Sequence, residues 1–374
     1  MIYLDNNSTT PLDPEALLAM EKASRDAFGN PGSRHPAGRR ARQLLEDSRE
    51  QIASLLGADP REVIFTSGGT ESNNLAVFGL TAGRTGVVSL PNGEHPSIER
   101  PVQRLLLQGW KRHALPLQSN GLISPAAVEQ LPDEPSQVVT VLLAHNETGV
   151  IQNLESLARE CAARRIPLHV DAVQGAGKIE VHFQRLGAAT LSVAAHKFHG
   201  PRGIGALLVR QDVKLTPQLL GGFQERELRA GTEPVMLAVG MSVALRNWYN
   251  ARQARTRHQQ ELRDLLQTQL LQRCTPAAVN GELEQRLPNT LNISFPGCQG
   301  DSLLVGLDLA GVCCSLGSAC ASGSIDPSPV LIAMGLSPER SQSALRISVS
   351  HLTTREEVLS AIDRIEAVVR RLRT

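Results

Sequence analysis

The chain has 374 residues, a length typical of two or three domains of about 150 residues each. Its hydrophobic fraction is 41%, its charged fraction is 20% and its net charge is +1. These values are typical of a globular protein with a large core, exclude a wholly disordered chain, and give no indication of nucleic acid or an anionic membrane as a partner. Only five of the 38 basic residues are lysines, namely Lys22, Lys111, Lys178, Lys197 and Lys214.

Targeting segments and disulfides are not expected. The sequence contains no run of about 18 apolar residues, so no membrane span is predicted. The N-terminus lacks the basic and apolar regions of a signal peptide. Six cysteines in a chain of this length do not indicate a disulfide scaffold. We therefore expect a cytoplasmic protein with reduced thiols.

The first two-thirds of the chain predict an α/β domain. Asp13 and Pro14 open a helix that runs to about residue 28, and an amphipathic helix follows over 38–56. Short apolar strands then alternate with helices, which is typical of a mostly parallel sheet whose ligands bind beyond the carboxyl ends of its strands. The predicted strands are 63–66, 86–89, 138–143, 168–170, 191–194 and 205–209, with helices from Thr70, from Pro96 and over 154–164.

The last third predicts a smaller α+β domain. A long helix over 234–272 bridges to it, followed by a strand at 291–295, a helix at 301–309 and a strand at 344–348. The final helix begins with a capping box at 354–357. We predict a large domain over 13–255 and a small domain formed by 1–12 and 256–374.

Residues 67–71 join a predicted strand to a predicted helix through two glycines. Free backbone N–H groups and the helix dipole at such a turn favour a phosphate, although glycines there are structural about as often. No G-x-G-x-x-G fingerprint occurs, and residues 175–179 lack the spacing and hydroxyl of a P-loop. The motif therefore favours a phosphate that is not part of a nucleotide.

Two polar residues follow apolar strands. Lys197 directly follows one, where burial would favour a nucleophilic amine able to form a Schiff base; a lysine that snorkels to solvent is the alternative. Asp171 ends another, where it is either a partner for a ring nitrogen or a helix N-cap. The other four lysines show no comparable motif. A phosphate loop, an aspartate and a lysine in this order describe a pyridoxal phosphate site.

Two residues in the C-terminal third are candidates for substrate chemistry. Cys320 lies among Gly, Ser and Ala residues, as expected of a nucleophile on an exposed loop. Arg346, between apolar residues, fits either a substrate carboxylate or an internal salt bridge. Cys313 and Cys314 are predicted to be buried. The spacing of the cysteines does not fit a metal site, and none is predicted.

The chain resembles the cysteine desulfurases of the NifS/IscS kind, which are pyridoxal phosphate enzymes of the class V aminotransferase group. The resemblance extends nearly from end to end. Its motifs lie at residues 3–11, 29–31, 66–74, 94–95, 146–149, 169–175, 196–197, 200–207, 229–233 and 317–320.

The resemblance implies a fold-type-I homodimer with its active sites at the subunit interface. Lys197 would bind pyridoxal 5'-phosphate covalently, Asp171 would pair with the ring nitrogen, and His95 would stack on the ring. Asn146 and Gln174 would bond the ring oxygen. The phosphate would be held by Gly69, Thr70, His196 and the partner subunit's Thr232.

The resemblance also implies the reaction. Arg346, with Asn292 assisting, would bind the carboxylate of L-cysteine, which becomes alanine while sulfur moves to Cys320 as a persulfide. A sulfur acceptor such as an iron–sulfur scaffold would then take it. Two alternatives remain: another class V activity, on selenocysteine or cysteine sulfinate or in transamination, and a sulfur-relay or scaffold-binding protein without turnover.

The sequence departs from the family pattern at three places. Ala194 stands where a phosphate-binding serine is usual, so the phosphate site is either weaker or completed otherwise. His145 stands where asparagine is usual. Cys313 and Cys314 form an unusual pair near the acceptor loop, and either take part in transfer or are inert.

Overall fold

A computed structural model describes residues 1–134, 137–316 and 328–373 of the chain. The strands of this part, in chain order, are β1 (Ile2–Tyr3), β2 (Val63–Thr66), β3 (Val87–Pro91), β4 (Lys111–Leu115), β5 (Gln137–Leu142), β6 (Leu168–Asp171), β7 (Thr190–Ala194), β8 (Gly205–Val209), β9 (Ala278–Val279), β10 (Thr290–Ser294), β11 (Val312–Cys313) and β12 (Ala344–Ser348).

The helices cover both faces of the main sheet and one face of the smaller one. In chain order they are α1 (Pro14–Asp26), α2 (Pro36–Leu55), α3 (Gly69–Thr81), α4 (Pro96–Leu106), α5 (Ala126–Glu129), α6 (Glu155–Ala163), α7 (Phe183–Leu186), α8 (Val235–Arg273), α9 (Gly300–Leu309), α10 (Pro329–Ala333), α11 (Pro338–Gln342) and α12 (Arg355–Arg373). Short 3-10 turns add Pro60–Glu62, Ala195–Lys197 and Gln224–Glu227.

The main sheet has seven strands in the order β2-β8-β7-β6-β5-β3-β4. The run from β7 to β4 is parallel, and β8 is antiparallel to both of its neighbours. Every residue of β5, β6 and β7 is buried, as expected of strands with helices on both faces. The predicted fold class, a mostly parallel sheet flanked by helices plus a smaller α+β part, is confirmed.

The smaller part of the structure has its own core. An antiparallel sheet in the order β12-β10-β9 shares an apolar core with α9 and α12, and β1 pairs in parallel with β11. The apolar cluster there includes Ile2 and Leu4 from the N-terminus together with residues between 262 and 369. The helix α8 contributes Val235 to Leu245 to the main core and Leu262 to Leu270 to the smaller one. The domain boundaries given above stay a prediction.

Candidate active site

Five strands of the main sheet deliver polar residues to one cavity. The cavity has a volume of about 290 Å³ and lies beyond the carboxyl ends of β2, β3, β5, β6 and β7. This is the edge at which parallel sheets bind ligands. The lining residues are Asn7, Ser8, Gly69, Thr70, Asn73, Gly93, Glu94, His95, Pro96, Ser97, Leu142, Asn146, Glu147, Asp171, Val173, Gln174, Ala194, His196, Lys197 and Arg346.

Lys197 lies in the 3-10 turn directly after β7 and is half-buried. Its Nζ donates hydrogen bonds to the carbonyl oxygens of Asn7, at 2.7 Å, and Ser8, at 2.8 Å. The amine therefore points into the protein at the cavity wall. This orientation contradicts the alternative of a lysine that snorkels to solvent.

Asp171 ends β6 and is almost fully buried. Its Oδ1 accepts from the backbone N–H of Val173 at 2.9 Å, and its Oδ2 accepts from Asn73 Nδ2 at 2.6 Å. The local bond to Val173 closes a turn, and α7, the next helix, begins only at Phe183. The carboxylate is thus a fixed acceptor on the cavity wall, and the helix-cap alternative is wrong.

A buried chain of hydrogen bonds supports Asp171 from behind. Because Asn73 Nδ2 donates to the carboxylate, Asn73 Oδ1 is the acceptor that faces His169 Nε2, at 3.1 Å. Burial lowers the pKa of His169 to about 3, so the ring is neutral and its Nδ1 accepts from Thr190 Oγ1 at 2.9 Å. Sequence reasoning quoted Asn73 and His169 within motifs but assigned them no role.

The two predicted histidines both line the cavity. His95 caps the N-terminus of α4, where its Nδ1 accepts from the Ser97 N–H at 3.1 Å, and burial lowers its pKa. His196 lies beside Thr9, with 3.2 Å between Nδ1 and Oγ1. Burial and the neighbouring Lys197 lower the pKa of His196 to about 4. Both rings are neutral at neutral pH.

The helix α3 begins at Gly69 and opens onto the cavity. Its N-cap, Gly68, has a φ of 150°, and no side chain of the described residues caps the helix. A Cβ on Gly205 would lie 2.8 Å from the Cα of Gly68, so this close approach of two backbones requires glycine. Unpaired N–H groups and the helix dipole at Gly69 and Thr70 favour an anion.

Arg346 in β12 forms the internal salt bridge that is one of its two predicted alternatives. Its Nη2 lies 2.7 Å from Asp5 Oδ1 and 2.7 Å from Ser8 Oγ, and its Nη1 donates to the carbonyl of Asn146 at 3.1 Å. The side chain also lines the cavity. The internal ion pair therefore holds the guanidinium in place at the cavity wall. Binding of a substrate carboxylate by Arg346 stays a prediction.

The remaining predicted site residues have different positions. Asn146 and Gln174 line the cavity. Asn292 is fully buried in β10 and donates to the carbonyl of Glu147 at 3.3 Å, behind the described cavity lining. Thr232 is exposed on this chain and away from that lining. Cys320 lies outside the described residues.

Lys178 corrects the interpretation of the lysines. The sequence indicated no motif around it, but the side chain is 4% exposed and lies against the cavity wall. Its Nζ donates to Asn7 Oδ1 at 3.0 Å and to Gln174 Oε1. Two of the five lysines therefore belong to this site.

The structure shows the surroundings of Ala194 and His145, two of the departures from the family pattern. Ala194 lines the cavity, so its methyl group faces the region where a hydroxyl is usual. His145 is buried, with its Nε2 2.9 Å from the carbonyl of Gly93 and its Nδ1 accepting from the Glu147 N–H at 3.1 Å. The histidine thus joins the loops after β3 and β5.

The cysteines of the described residues do not form a cluster with metal-ligand geometry. Cys161, Cys274 and Cys298 are buried, whereas Cys313 and Cys314 are half-buried, which corrects the expectation of full burial for this pair. Burial raises the pKa of Cys314 to about 12, so this thiol is protonated. Within the described ranges no group of three or more His, Cys, Asp or Glu residues could hold a metal, and no helix there could span a membrane.

The donor set fits pyridoxal phosphate. Asp171 offers a carboxylate to a ring nitrogen, Lys197 offers an amine to an aldehyde, His95 offers a neutral ring surface, and α3 offers an uncapped N-terminus to a phosphate. The cavity volume is close to the lower end of the roughly 300–1,000 Å³ range of small-molecule sites.

Comparisons with known proteins match the chain over nearly its whole length. The sequence profile of the family described as Aminotransferase class-V matches residues 2–360. A cysteine desulfurase IscS of Dictyoglomus turgidum is 37% identical over 378 residues, covering 100% of this chain and 95% of that protein. A cysteine desulfurase of Nostoc sp. is 38% identical over 381 residues, covering 100% and 94%. A solved structure titled NifS-like protein has a TM-score of 0.92 and 34% identity, covering 99% of each chain.

Proposed function

The chain belongs to the aminotransferase class-V family, among its cysteine desulfurases, and on this premise we propose how it acts. It binds pyridoxal 5'-phosphate and converts L-cysteine to L-alanine, leaving a persulfide on Cys320. One observation carries the proposal: the Lys197 amine, the Asp171 carboxylate and the uncapped N-terminus of α3 all face the same cavity.

Each side chain has a distinct task. Bound pyridoxal phosphate supplies an electron sink for the bonds of the substrate α-carbon. Asp171, fixed by Asn73, would hold a proton on the ring nitrogen. His95 would stack on the ring, and Asn146 and Gln174 would bond its oxygen. Gly69, Thr70 and His196, with the partner subunit's Thr232, would bind the phosphate.

Arg346 and Lys197 act on the substrate. The Arg346 guanidinium, held by Asp5 and Ser8, offers its planar fork to the carboxylate of L-cysteine. This contact places the α-carbon near Lys197 Nζ. With its amine free, Lys197 would remove the α-proton of the substrate and return a proton to the carbon skeleton.

Cys320 takes the sulfur. Its thiolate forms an S–S bond with the substrate sulfur while the substrate carbon–sulfur bond breaks, and the electron pair of that bond becomes a C–H bond of alanine. The persulfide is then passed to an acceptor protein, which we propose is an iron–sulfur scaffold. No direct contact with nucleic acid is proposed, and the cytoplasmic location stays a prediction.

The activity is tested by incubating the purified protein with pyridoxal phosphate, L-cysteine and a reductant, and measuring alanine and sulfide. We expect both products in equal amounts. Lys197→Ala removes the amine that moves the proton and should abolish turnover, whereas the matched change of an exposed lysine, Lys214→Ala, should not. Cys320→Ala should prevent persulfide formation.

Two results would contradict the proposal. Normal turnover by Lys197→Ala would exclude the lysine as the proton carrier. Alanine and sulfide at the wild-type rate from Cys320→Ala would exclude this cysteine as the sulfur acceptor. A third outcome, 3-mercaptopyruvate in place of alanine and sulfide, would indicate a transaminase instead.

A further inference from the structure

Lys178 is a buried amine for which the proposed chemistry has no use. It is 4% exposed and lies beside two other cationic side chains of the site, Lys197 and Arg346. Burial, together with the charges of these two neighbours, lowers the pKa of Lys178 well below its ordinary value. Burying an amine beside other cations costs free energy of folding. The hydrogen bonds of Lys178 therefore indicate a role in the site.

The two hydrogen-bond partners of Lys178 are side chains of the cavity wall. Its Nζ donates to Asn7 Oδ1 at 3.0 Å and to Gln174 Oε1. Asn7 is itself fixed, because its Nδ2 donates to Thr290 Oγ1 at 2.9 Å and its Oδ1 also accepts from Asn289 Nδ2 at 3.0 Å. Lys178 therefore holds Gln174 against a rigid part of the structure.

The chemistry of these neighbours decides which end of the Gln174 amide faces which group. One end lies 2.9 Å from the carbonyl oxygen of Asn7, which can only accept a hydrogen bond, so this end is the NH₂ group. The other end faces the Lys178 amine, which donates, so it is the oxygen. The second hydrogen of Nε2 is then the group that Gln174 can offer to the cavity.

We propose that Lys178 is a positioning residue that fixes the Gln174 amide so that it presents an N–H donor to the ring oxygen of bound pyridoxal phosphate. The proposal rests on the proposed function, since it needs that cofactor in the cavity. Without Lys178 the Gln174 oxygen loses its hydrogen-bond donor among the described residues. The side-chain amide can then rotate and exchange the positions of its oxygen and its NH₂ group. An amide oxygen facing the ring oxygen of the cofactor would place two acceptors against each other.

The test is the affinity of the cofactor-free protein for pyridoxal phosphate, measured by absorbance titration. Lys178→Met should weaken binding about tenfold, the effect of losing one hydrogen bond to a charged group. Gln174→Ala should weaken it similarly. In the double variant Lys178→Met should add almost nothing, because Lys178 acts through Gln174. Lys214→Met is the matched control at an exposed lysine and should bind like wild type.

A spectroscopic measurement separates positioning from a merely structural role. An N–H donor that bonds the ring oxygen of the cofactor stabilises negative charge on that oxygen. A nearby amine such as that of Lys178 also stabilises this charge. The pH midpoint of the visible absorbance change of the bound cofactor should therefore rise in Lys178→Met. A change that only loosens the fold would lower the melting temperature and leave this midpoint in place.

The outcomes distinguish the two proposals. A wild-type protein that does not bind pyridoxal phosphate would overturn the proposed function and this inference with it. Normal binding and an unchanged pH midpoint in Lys178→Met, or full additivity in the double variant, would overturn only the role of Lys178. If Lys178→Met does not fold, Lys178→Leu removes the same N–H donor and is subject to the same criteria.

Discussion

At the scale of single residues, a buried histidine makes the stability of the fold depend on pH. His199 is 6% exposed, its Nδ1 donates to the carbonyl of Pro11 at 2.9 Å, and its ring packs edge-on against His351 at 4.4 Å. Burial, helped by the nearby charges of Arg255 and Lys178, lowers the pKa of His199 to about 4, although the hydrogen bond to Pro11 and the charge of Asp13 oppose this shift. The pKa of His199 is therefore lower in the folded chain than in the unfolded chain, where a histidine has a pKa of about 6.5.

The sign of the pH effect follows from linkage. Above about pH 6.5 His199 is neutral in both states and has no effect on the free energy of unfolding. As the pH falls toward 4 only the unfolded state binds the proton, so stability falls by about 1.4 kcal/mol per pH unit from this residue. We expect His199→Asn to show a shallower loss of stability, measured by urea unfolding at about pH 8 and about pH 5.

The asparagine variant is chosen to keep the local structure. The φ of His199 is 66°, a left-handed conformation that asparagine tolerates, and an asparagine N–H can replace the donor to Pro11. The same substitution at the exposed N-cap His35 is the control, because that ring is solvated in both states. An equal pH slope in wild type and His199→Asn would contradict the assignment.

Sequence reasoning found the residues that stand directly after apolar strands and missed those that support them. Asp171 ends β6 and Lys197 lies just after β7, and their position alone indicates the ligand-binding edge of the sheet. Asn73 and Asp171 are 98 residues apart, and Lys178 and Asn7 are 171 residues apart. Such contacts depend on how the loops pack, which no local pattern in the sequence records.

At the scale of elements, the turn at Gln224–Glu227 is unusual. Glu225, Arg226 and Glu227 have φ values of 46°, 57° and 64°, a left-handed run without glycine. Arg49 of α2 binds the Glu225 carboxylate through two bonds of 2.8 Å, and the Phe65 N–H donates to the same carboxylate at 2.9 Å. The buried ion pair thus holds a turn that the backbone alone disfavours.

Removing one partner of this pair should be costly. Arg49→Met leaves the Glu225 carboxylate buried without its cation, and we expect a loss of about 3–5 kcal/mol in the free energy of unfolding. Combining it with Glu225→Gln removes the buried charge and should restore most of the loss, because glutamine still accepts from the Phe65 N–H. Urea unfolding of the two variants measures both effects.

A surface pair provides the matched control. Arg25 and Glu21 form an exposed ion pair one helical turn apart, and Arg25→Met should change stability by no more than about 0.5 kcal/mol. A loss at Arg49 no larger than at Arg25 would contradict a stabilising role for the buried pair. So would a double variant that is no more stable than Arg49→Met alone.

Sequence patterns predicted the long elements better than the short ones. The Asp13 cap of α1 and the capping box of α12 are present, with the Thr354 N–H 2.9 Å from Glu357 Oε2. The strand β4 was missed because it lies at the sheet edge and has one buried residue, Leu115, instead of an apolar run. The strands β1 and β11 have two residues each, too few to show any periodicity.

At the scale of the whole molecule, the N-terminal segment holds the two cores together. Residues of this segment pair with β11 and β12 in the small part, yet Asn7 and Ser8 line the cavity of the large part. The composition and the alternation of strands and helices predicted a large α/β unit and a smaller α+β unit. They did not predict that Asn7 would contact both units. This contact depends on the N-terminal segment packing beside β12, which is distant in the sequence.

The segment after β8 is exposed on this chain and is a candidate for the interface of the homodimer that the family resemblance implies. Phe223 is 84% exposed and Leu220 is 80% exposed on this chain, in the same segment as the exposed Thr232. Large apolar side chains grouped on a surface indicate a contact with another molecule. We expect this segment to lie in the dimer interface, with Thr232 reaching the phosphate site of the partner subunit.

Phe223→Asp should therefore weaken both dimerisation and the binding of pyridoxal phosphate. A carboxylate in an apolar interface shifts the protein from dimer to monomer, which analytical ultracentrifugation measures, and the monomer should bind pyridoxal phosphate more weakly because it lacks Thr232 of the partner subunit. Leu107→Asp, at an equally exposed apolar residue after α4, should leave the mass unchanged. A dimeric Phe223→Asp protein, or a monomer with wild-type cofactor affinity, would contradict a phosphate site completed across the interface.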